Sequence, residues 1–242
     1  MNWDVIVIGG GPAGMMAAGR AAARGARVLL LEKNDTLGKK LLISGGGRCN
    51  VTNNQPDNQL FLQKFPESKQ HLFSAFSTWN VANSLDFFHE RSMPTKVENE
   101  LRVFPVSDSS KSVWDVLQRY MQEGNVVIQK ESPVSGFLHE NNIITGVTLQ
   151  NGKTVQANSY ILATGGNSHP ETGSTGDGFA WLSSLGHNVI DIEPSLVPIA
   201  LKDTWTKQLQ GITVQDVKIT IVQNETKQKA RLGNILFTHF GI

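Results

Sequence analysis

Residues 4–14 read Asp-Val-Ile-Val-Ile-Gly-Gly-Gly-Pro-Ala-Gly, and an alanine-rich stretch then leads to Val-Leu-Leu-Leu-Glu at residues 28–32. The short β-branched run that opens the first segment is typical of a parallel strand buried on both faces. Gly9, Gly11 and Gly14 fit the pattern Gly-x-Gly-x-x-Gly. Strand, glycine turn, helix, strand and acid follow one another in the order that predicts a Rossmann-like, dinucleotide-binding unit. The alternative is a structural glycine-rich turn.

Each position of this turn has a predicted role. Gly9 permits a tight turn, Gly11 lets the backbone approach a pyrophosphate, and Gly14 lets the helix pack close to the sheet. Pro12 and Ala13 begin the helix, where free N–H groups and the helix dipole attract phosphate. We therefore expect all five residues to contact or shape a dinucleotide site.

Glu32 ends the second predicted strand, eighteen residues after Gly14. An acid at this place accepts hydrogen bonds from the ribose hydroxyls of a dinucleotide. It also disfavours a 2′-phosphate, because two anions would then meet. Lys33 follows directly and is a further candidate for cofactor binding.

Composition limits the class of protein. The 242 residues carry a formal net charge of +1 and 39% hydrophobic residues, which suits one or two globular domains and gives no sign of a nucleic-acid or membrane partner. The single cysteine excludes an internal disulfide and indicates a reducing compartment. We find no apolar run near the roughly 20 residues of a membrane helix, and the first strand starts too early for a signal peptide. We expect a cytoplasmic protein.

A second glycine-rich segment, residues 38–53, reads Gly-Lys-Lys-Leu-Leu-Ile-Ser-Gly-Gly-Gly-Arg-Cys-Asn-Val-Thr-Asn. Three consecutive glycines indicate a backbone that passes close to a ligand or forms an anion-binding nest. The preferred role of Arg48 is to hold a phosphate, with a substrate carbonyl as the alternative. Asn50 can hydrogen-bond a heterocycle, and Cys49 is either a reactive thiol or a small buried residue. The candidate cofactor contacts here are Lys40, Ser44, Gly45, Gly46, Arg48, Cys49 and Asn50.

The middle of the chain predicts helices over 54–125, a strand at Val126–Ile128 and then an antiparallel meander. The meander strands are residues 134–139, 143–150 and 154–157, and Asn151-Gly152 is a strong signal for a type I′ turn. Motifs for other chemistry are missing from the sequence: a second Gly-x-Gly-x-x-Gly, Cys-x-x-Cys, Gly-x-Ser-x-Gly and metal-binding histidine spacings. We therefore expect no metal site and no disulfide chemistry.

The two glycine-rich segments together closely resemble a bacterial family of flavoproteins known as NAD(P)/FAD-dependent oxidoreductases, or BaiN-like flavoproteins. This family includes aminoacetone oxidase and enzymes proposed to reduce bile-acid intermediates, and the resemblance extends over essentially the whole chain. It implies FAD as the cofactor. In flavoproteins of the glutathione-reductase type, a backbone group before the meander meets adenine, and Val134 is the matching position. The apolar strand after the meander ends in a turn that resembles the flavoprotein Ala-Thr-Gly turn beside the dinucleotide, Ala163-Thr164-Gly165-Gly166.

The last fifth of the chain has a different pattern of apolar and polar residues. Val214–Val222 and Ile235–Phe237 are apolar or alternating, which indicates strands. We predict an FAD-binding Rossmann-like domain over 1–190 and a partial β-rich domain over 191–242. Residues 238–242 resemble the start of a longer family motif, so we expect a fragment or a short relative.

The function that these features predict is hydride transfer between a small organic substrate, an amine or an activated alkene, and the flavin. NAD(P)H or O₂ would be the redox partner. The alternatives are a non-catalytic or truncated nucleotide-binding fragment, and a flavoprotein that modifies tRNA, which the near-neutral charge disfavours. The sequence assigns no catalytic residue.

Overall fold

The computed structural model describes residues 3–193, 198–228 and 230–242. The chain divides into two compact units, Met1–Val189 and Ile190–Ile242. The strands are β1 (Trp3–Ile8), β2 (Val28–Leu31), β3 (Thr52–Asn53), β4 (Thr95–Glu98), β5 (Arg102–Pro105), β6 (Val127–Gln129), β7 (Val134–Glu140), β8 (Ile143–Leu149), β9 (Thr154–Val155), β10 (Ala157–Leu162), β11 (Thr213–Ile219), β12 (Val222–Gln223), β13 (Thr226–Lys227) and β14 (Arg231–Leu236). The α-helices are α1 (Pro12–Ala22), α2 (Lys39–Ile43), α3 (Asn58–Leu62), α4 (Lys69–Thr78), α5 (Val81–His89), α6 (Ser110–Glu123) and α7 (Asp177–Ser184).

A parallel four-stranded sheet in the order β10-β1-β2-β6 organises the first unit. Side chains alternate along each strand, so Val7 and Leu30 pack against α1 and α6 on one face. Ile6 and Leu29 pack on the other face, against Val134 and its neighbours in the meander β7-β8-β9. This architecture confirms the predicted α/β class, a Rossmann-like domain with an inserted antiparallel meander.

Helix α1 lies tightly between its neighbours. Gly11 is its N-cap and Pro12 its first residue, where the N–H that proline lacks has no helical partner. The helix ends in a turn at Gly25, whose φ of 90° favours glycine. At Gly19 an added Cβ would stand 2.4 Å from a ring carbon of Tyr120, so α1 and α6 approach closely only because this residue has no side chain.

One hairpin turn differs from the prediction. A type I′ turn needs positive φ at both central residues. Asn141 and Asn142, between β7 and β8, have φ of 48° and 63°. At the predicted place, Gly152 has a φ of 81° within a four-residue connection in which the Leu149 N–H donates to the Lys153 carbonyl at 2.8 Å. The two adjacent residues with left-handed φ are therefore Asn141 and Asn142, because asparagine also tolerates this conformation.

The segment 54–125 contains helices α3 to α6, and also a small sheet that the sequence did not indicate. Strand β5 pairs antiparallel with β3 on one side and with β4 on the other. The strands have two to four residues, which is too short for hydrophobic alternation to be read. Helices α3 to α6 agree with the expectation of a mostly helical segment, and the small sheet is the part that this expectation did not include.

The second unit is rich in β-structure, as the sequence predicts. Strand β11 pairs antiparallel with β14, and β12 with β13. An isolated bridge joins Ala200 to Gly241.

Candidate nucleotide-binding site

The first glycine turn has the geometry that its motif predicts. Gly9 has a φ of 104°, and a Cβ there would lie 2.5 Å from the Ala163 carbonyl oxygen of the neighbouring strand end. A Cβ on Gly14 would stand 1.8 Å from the Gly9 carbonyl oxygen, so the helix packs on the turn without room for a side chain. A Cβ on Gly11 has no atom within 4 Å. Two glycines are thus required by contacts, whereas Gly11 borders open space.

That open space is part of a cleft of about 280 Å³ in the first unit. The cleft lies where β1, β2 and β10 end, at the carboxyl edge where open α/β sheets bind ligands. The predicted residues that line it are Gly9, Gly11, Pro12, Ala13, Glu32, Lys33, Lys40, Val134, Ala163, Thr164, Gly165 and Gly166. The loop before α7 also lines the cleft, through Thr172, Gly173, Ser174 and Asp177. Lining residues that sequence reasoning missed include Asn34, Ser132 and Trp181.

Glu32 is buried beside the cleft, with 6% of its surface exposed. Its Oε2 accepts a hydrogen bond from the Gly10 N–H at 2.6 Å. Its Oε1 accepts from the N–H and the side-chain amide of Asn34, both at 2.8 Å. The carboxylate therefore joins the glycine turn to the end of β2. Oε1 uses both of its lone-pair positions on Asn34, whereas Oε2 keeps one position for a ligand hydroxyl.

Lys33 and Asn34 connect this wall to the start of α7. The Lys33 ammonium donates to the Asp177 carboxylate at 2.8 Å and to the Thr175 hydroxyl at 2.6 Å. The Asn34 amide donates to the Thr172 carbonyl at 3.1 Å. Lys33 lowers the pKa of the Asp177 carboxyl, through a hydrogen bond that stabilises its charged form.

This shift predicts a pH dependence of stability. A lowered pKa means that Asp177 stabilises the fold above the ordinary aspartate pKa of about 3.9, and that this contribution is lost as pH falls through the lowered value. We expect the excess unfolding free energy of the wild type over Asp177→Asn to shrink between pH 6 and pH 3, as measured by urea unfolding. Glu140→Gln, at the exposed end of β7, is the control. A pH-independent difference for Asp177→Asn would contradict the assigned pair.

The glycine-rich loop after α2 turns through a run of left-handed residues. Gly45, Gly46 and Gly47 have φ of 57°, 66° and 82°, and Cys49 follows with 61°. This left-handed run explains the three consecutive glycines, because L amino acids adopt the left-handed conformation only at a cost in free energy. Within α2, Lys40 lines the cleft, and its ammonium donates to the Ser168 carbonyl and hydroxyl.

Arg48 lies in a cluster of charges. Its Nε donates to Asp108 at 2.8 Å, a terminal nitrogen contacts Glu98, and the guanidinium stacks 4.2 Å above the centre of the Phe104 ring. A hydrogen bond from Arg48 is the main cause of the lowered pKa of the Glu98 carboxyl. The pKa of the Asp108 carboxyl is also lowered, mainly by a hydrogen bond from Lys96. This geometry favours a role in holding the glycine loop against β4 and β5, and the phosphate role stays a prediction.

Ser44, Cys49 and Asn50 lie around a second pocket of about 380 Å³, which shares only Pro12 and Lys40 with the cleft. Burial raises the pKa of the Cys49 thiol, which disfavours the thiolate and supports the interpretation as a small buried residue. The Asn50 amide, oriented to donate, contacts the backbone carbonyls of β3 and β5 at 2.8 and 3.2 Å. The remaining residues of this second pocket are Met16, Leu41, Val51, Trp79, Ser84, Phe87, Phe88, Val113 and Leu117.

Within residues 3–193, 198–228 and 230–242, every helix is too short or too polar to cross a bilayer. Within the same ranges, no three His, Cys, Asp or Glu side chains are grouped so as to hold a metal ion.

Comparison with known proteins shows the family of the chain. Residues 3–238 match the family described as HI0933-like protein Rossmann domain. The chain belongs to this family. Its members are FAD-dependent oxidoreductases, so the resemblance seen in the sequence, its fold and its cofactor class are confirmed.

Two curated relatives are similar over almost the whole chain. The ribosomal RNA dihydrouridine synthase of Escherichia coli (strain K12) is 32% identical over 245 residues, which cover 100% of this chain and 58% of that protein. The 3-dehydro-bile acid delta(4,6)-reductase of Clostridium scindens is 30% identical over 239 residues, which cover 98% of this chain and 56% of that protein. The chain thus spans little more than half the length of these relatives.

A solved structure shows the same fold. The open conformation of a flavocytochrome c3 fumarate reductase superposes with a TM-score of 0.62 at 19% identity, covering 89% of this chain and 47% of the other. At this identity the likeness shows the fold alone.

Proposed function

We propose that this chain binds FAD in the cleft and that the protein transfers a hydride between a small organic substrate and the flavin. The observation that carries the proposal is the open space at Gly11, at the start of α1 and inside the cleft. A diphosphate placed there meets backbone N–H groups and the positive end of an eleven-residue helix. The residues present therefore fit the cofactor of the family.

The ADP half is assigned to Gly9, Gly11, Glu32 and Val134. Glu32 would accept from a ribose hydroxyl with the Oε2 lone pair that the Gly10 N–H leaves free. The flavin half is assigned to residues 40–50 and 163–166. When bound, the flavin supplies two-electron redox chemistry, and the protein supplies its orientation and the exclusion of water.

Among the possible substrates, we favour an activated alkene over an amine. One curated relative is named for dihydrouridine, which is uridine with hydrogen added across a carbon–carbon double bond. The other is named as a delta(4,6)-reductase of a bile acid, and such a reductase adds hydrogen across a carbon–carbon double bond. Hydride delivery to an alkene conjugated with a carbonyl is the step common to both. NAD(P)H is then the expected reductant.

A uridine base in RNA is a second candidate substrate, because a relative of 32% identity is named for dihydrouridine synthesis in ribosomal RNA. The net charge of +1 gives little attraction for a phosphate backbone. A different candidate function is nucleotide binding without turnover, because the chain spans little more than half of its relatives' length. We also propose a cytoplasmic location, which the single cysteine supports.

The first test is whether the purified 242-residue chain binds FAD. We expect a yellow protein, or saturable quenching of added FAD fluorescence. A colourless chain that takes up no FAD would contradict the proposal that this chain binds FAD. For a flavin-loaded chain, anaerobic mixing with NADPH is expected to bleach the flavin, and an enone or a uridine-containing RNA is expected to restore its colour. Restoration by neither, with bleaching by small amines instead, would favour amine oxidation.

Trp181 provides a separate test of where the adenine lies. It lines the cleft together with Val134 and makes an edge-to-face contact with Phe137 at 6.0 Å. We expect ADP to quench tryptophan fluorescence in the wild type, and Trp181→Leu to lose this quenching and about 1 kcal/mol of binding free energy. Trp205→Leu, in the other unit, should keep both. Full quenching in Trp181→Leu would contradict the placement of the base.

A further inference from the structure

We propose that Asp108 is a positioning residue for the flavin half of the cofactor site. It lies in the turn between β5 and α6, and it acts through Arg48 on the glycine-rich loop of residues 44–50. Its carboxylate belongs to the charge cluster around Arg48 and not to the wall of the cleft. The inference rests on the proposed function, which assigns this loop to the flavin.

The middle of the loop has little packing of its own. A Cβ on Gly46 would meet no described atom within 4 Å, and one on Gly47 would meet the Leu42 carbonyl oxygen at 3.9 Å. Glycine also loses more backbone freedom than any other residue when a loop becomes ordered. The position of the loop therefore depends on how its two ends are held.

Arg48 holds the second end of the loop. Its Nε and one terminal nitrogen donate to Oδ1 of Asp108 at 2.8 and 2.5 Å, and the same terminal nitrogen contacts Glu98. The guanidinium lies over the ring of Phe104, which is 4% exposed. A planar guanidinium that is bonded along one edge and stacked on one face is fixed in its orientation. The Val51 N–H then donates to a β5 carbonyl at 2.8 Å, so the attachment of the loop to β5 begins at Arg48.

Lys96 holds Asp108 in turn. The Oδ2 of Asp108 accepts from the Lys96 ammonium at 2.5 Å, so the two carboxylate oxygens bind two different cations. Lys96 also lies 3.4 Å from Glu98, two residues further along β4 and on the same face of the strand. Two cations and two carboxylates thus alternate in one network. An isolated surface ion pair contributes little to stability, whereas a network of several charges contributes more.

Loss of the Asp108 charge is expected to loosen this loop and to leave the glycine turn at residues 9–14 as it is. A loosened loop must be ordered again when the flavin binds, and this entropy cost lowers the affinity for FAD. ADP has no flavin, so its affinity should stay the same. The expected loss is therefore selective, which a general loss of stability would not produce.

Titrations with FAD and with ADP test this selectivity. We expect Asp108→Asn to weaken FAD binding about tenfold, the effect of one lost charge-assisted hydrogen bond, and to leave ADP binding unchanged. Asp108→Glu keeps the charge and should recover most of the FAD affinity. Asp115→Asn, in another ion pair that is half-exposed on α6, is the matched control and should bind both ligands as the wild type does. Wild-type FAD affinity in Asp108→Asn, or an equal loss for ADP, would overturn the inference.

A double-mutant cycle shows whether Asp108 acts through Arg48. Arg48→Met removes the guanidinium, and adding Asp108→Asn is then expected to cause no further loss of FAD affinity. Losses that simply add would mean that Asp108 affects FAD by a route that does not pass through Arg48, and this result would also overturn the inference.

The alkylation of Cys49 by iodoacetamide reports on the loop without any cofactor. Cys49 follows Arg48 directly, is 5% exposed and is the single cysteine of the sequence. At constant pH, we expect alkylation to be about tenfold faster in Asp108→Asn, because local opening becomes easier, and unchanged in Asp115→Asn. Equal rates in Asp108→Asn and the wild type would overturn the inference, whether or not the chain binds FAD. A wild type that takes up no FAD contradicts the proposed function instead, so the two failures are distinguishable.

Discussion

Replacement of Gly11 by valine is expected to abolish FAD binding while leaving the chain folded. An added Cβ meets no protein atom within 4 Å, so the fold itself offers no clash. The side chain instead fills the space next to the helix start where a pyrophosphate would lie. Valine is also a poor N-cap, which costs about 1 kcal/mol of unfolding free energy. Titration of apo-protein with FAD, followed by fluorescence, measures the binding.

Gly136→Val is the matched control for this experiment. Gly136 lies on β7 in the meander, and a Cβ there also has no neighbour within 4 Å. The control variant should bind FAD as the wild type does. Stoichiometric FAD retained by Gly11→Val would refute the assigned position of the pyrophosphate.

The second large effect is expected at Gly14, and its cause is different. A Cβ at this position would stand 1.8 Å from the Gly9 carbonyl oxygen, a backbone atom that cannot rotate away. The helix must then shift from the turn, and overpacking of this kind costs about 3 kcal/mol. We expect Gly14→Ala to lose this much unfolding free energy in urea, and FAD binding with it.

Gly136→Ala provides the corresponding control, since its methyl group enters open space. The two positions are therefore expected to differ. Substitution of Gly11 removes FAD binding and lowers the unfolding free energy by only about 1 kcal/mol, whereas substitution of Gly14 lowers the unfolding free energy by about 3 kcal/mol and loses FAD binding as a result. A Gly14→Ala variant as stable as the wild type would show that the packing between turn and helix is looser than the structure has it.

The turn and its acid could be predicted because their geometry is local. Gly9, Gly11 and Gly14 stand within six residues, and the acid that ends the next strand follows at a spacing set by one helix. The contact of Glu32 with the Gly10 N–H, by contrast, adds a role within the fold that the motif does not describe.

Much of the remaining site depends on contacts between distant parts of the chain. Asn34 meets Thr172 across 138 positions, and Arg48 meets its partners Glu98 and Asp108 across 50 and 60. No periodicity or spacing in the sequence specifies such pairs. This is why the sequence reveals neither the place of Trp181 in the cleft nor the acidic partners of Arg48.

The connection between the two walls of the cleft has a consequence for biosynthesis. Lys33 and Asp177 are 144 positions apart, so the ribosome adds the second wall long after the first. At synthesis rates of 5–20 residues per second, this delay is about 7 to 29 s. The glycine turn emerges early, but the cofactor has no complete cleft to enter until α7 has been made. Chains that stop before this helix should therefore remain without cofactor, however intact their first strand and turn.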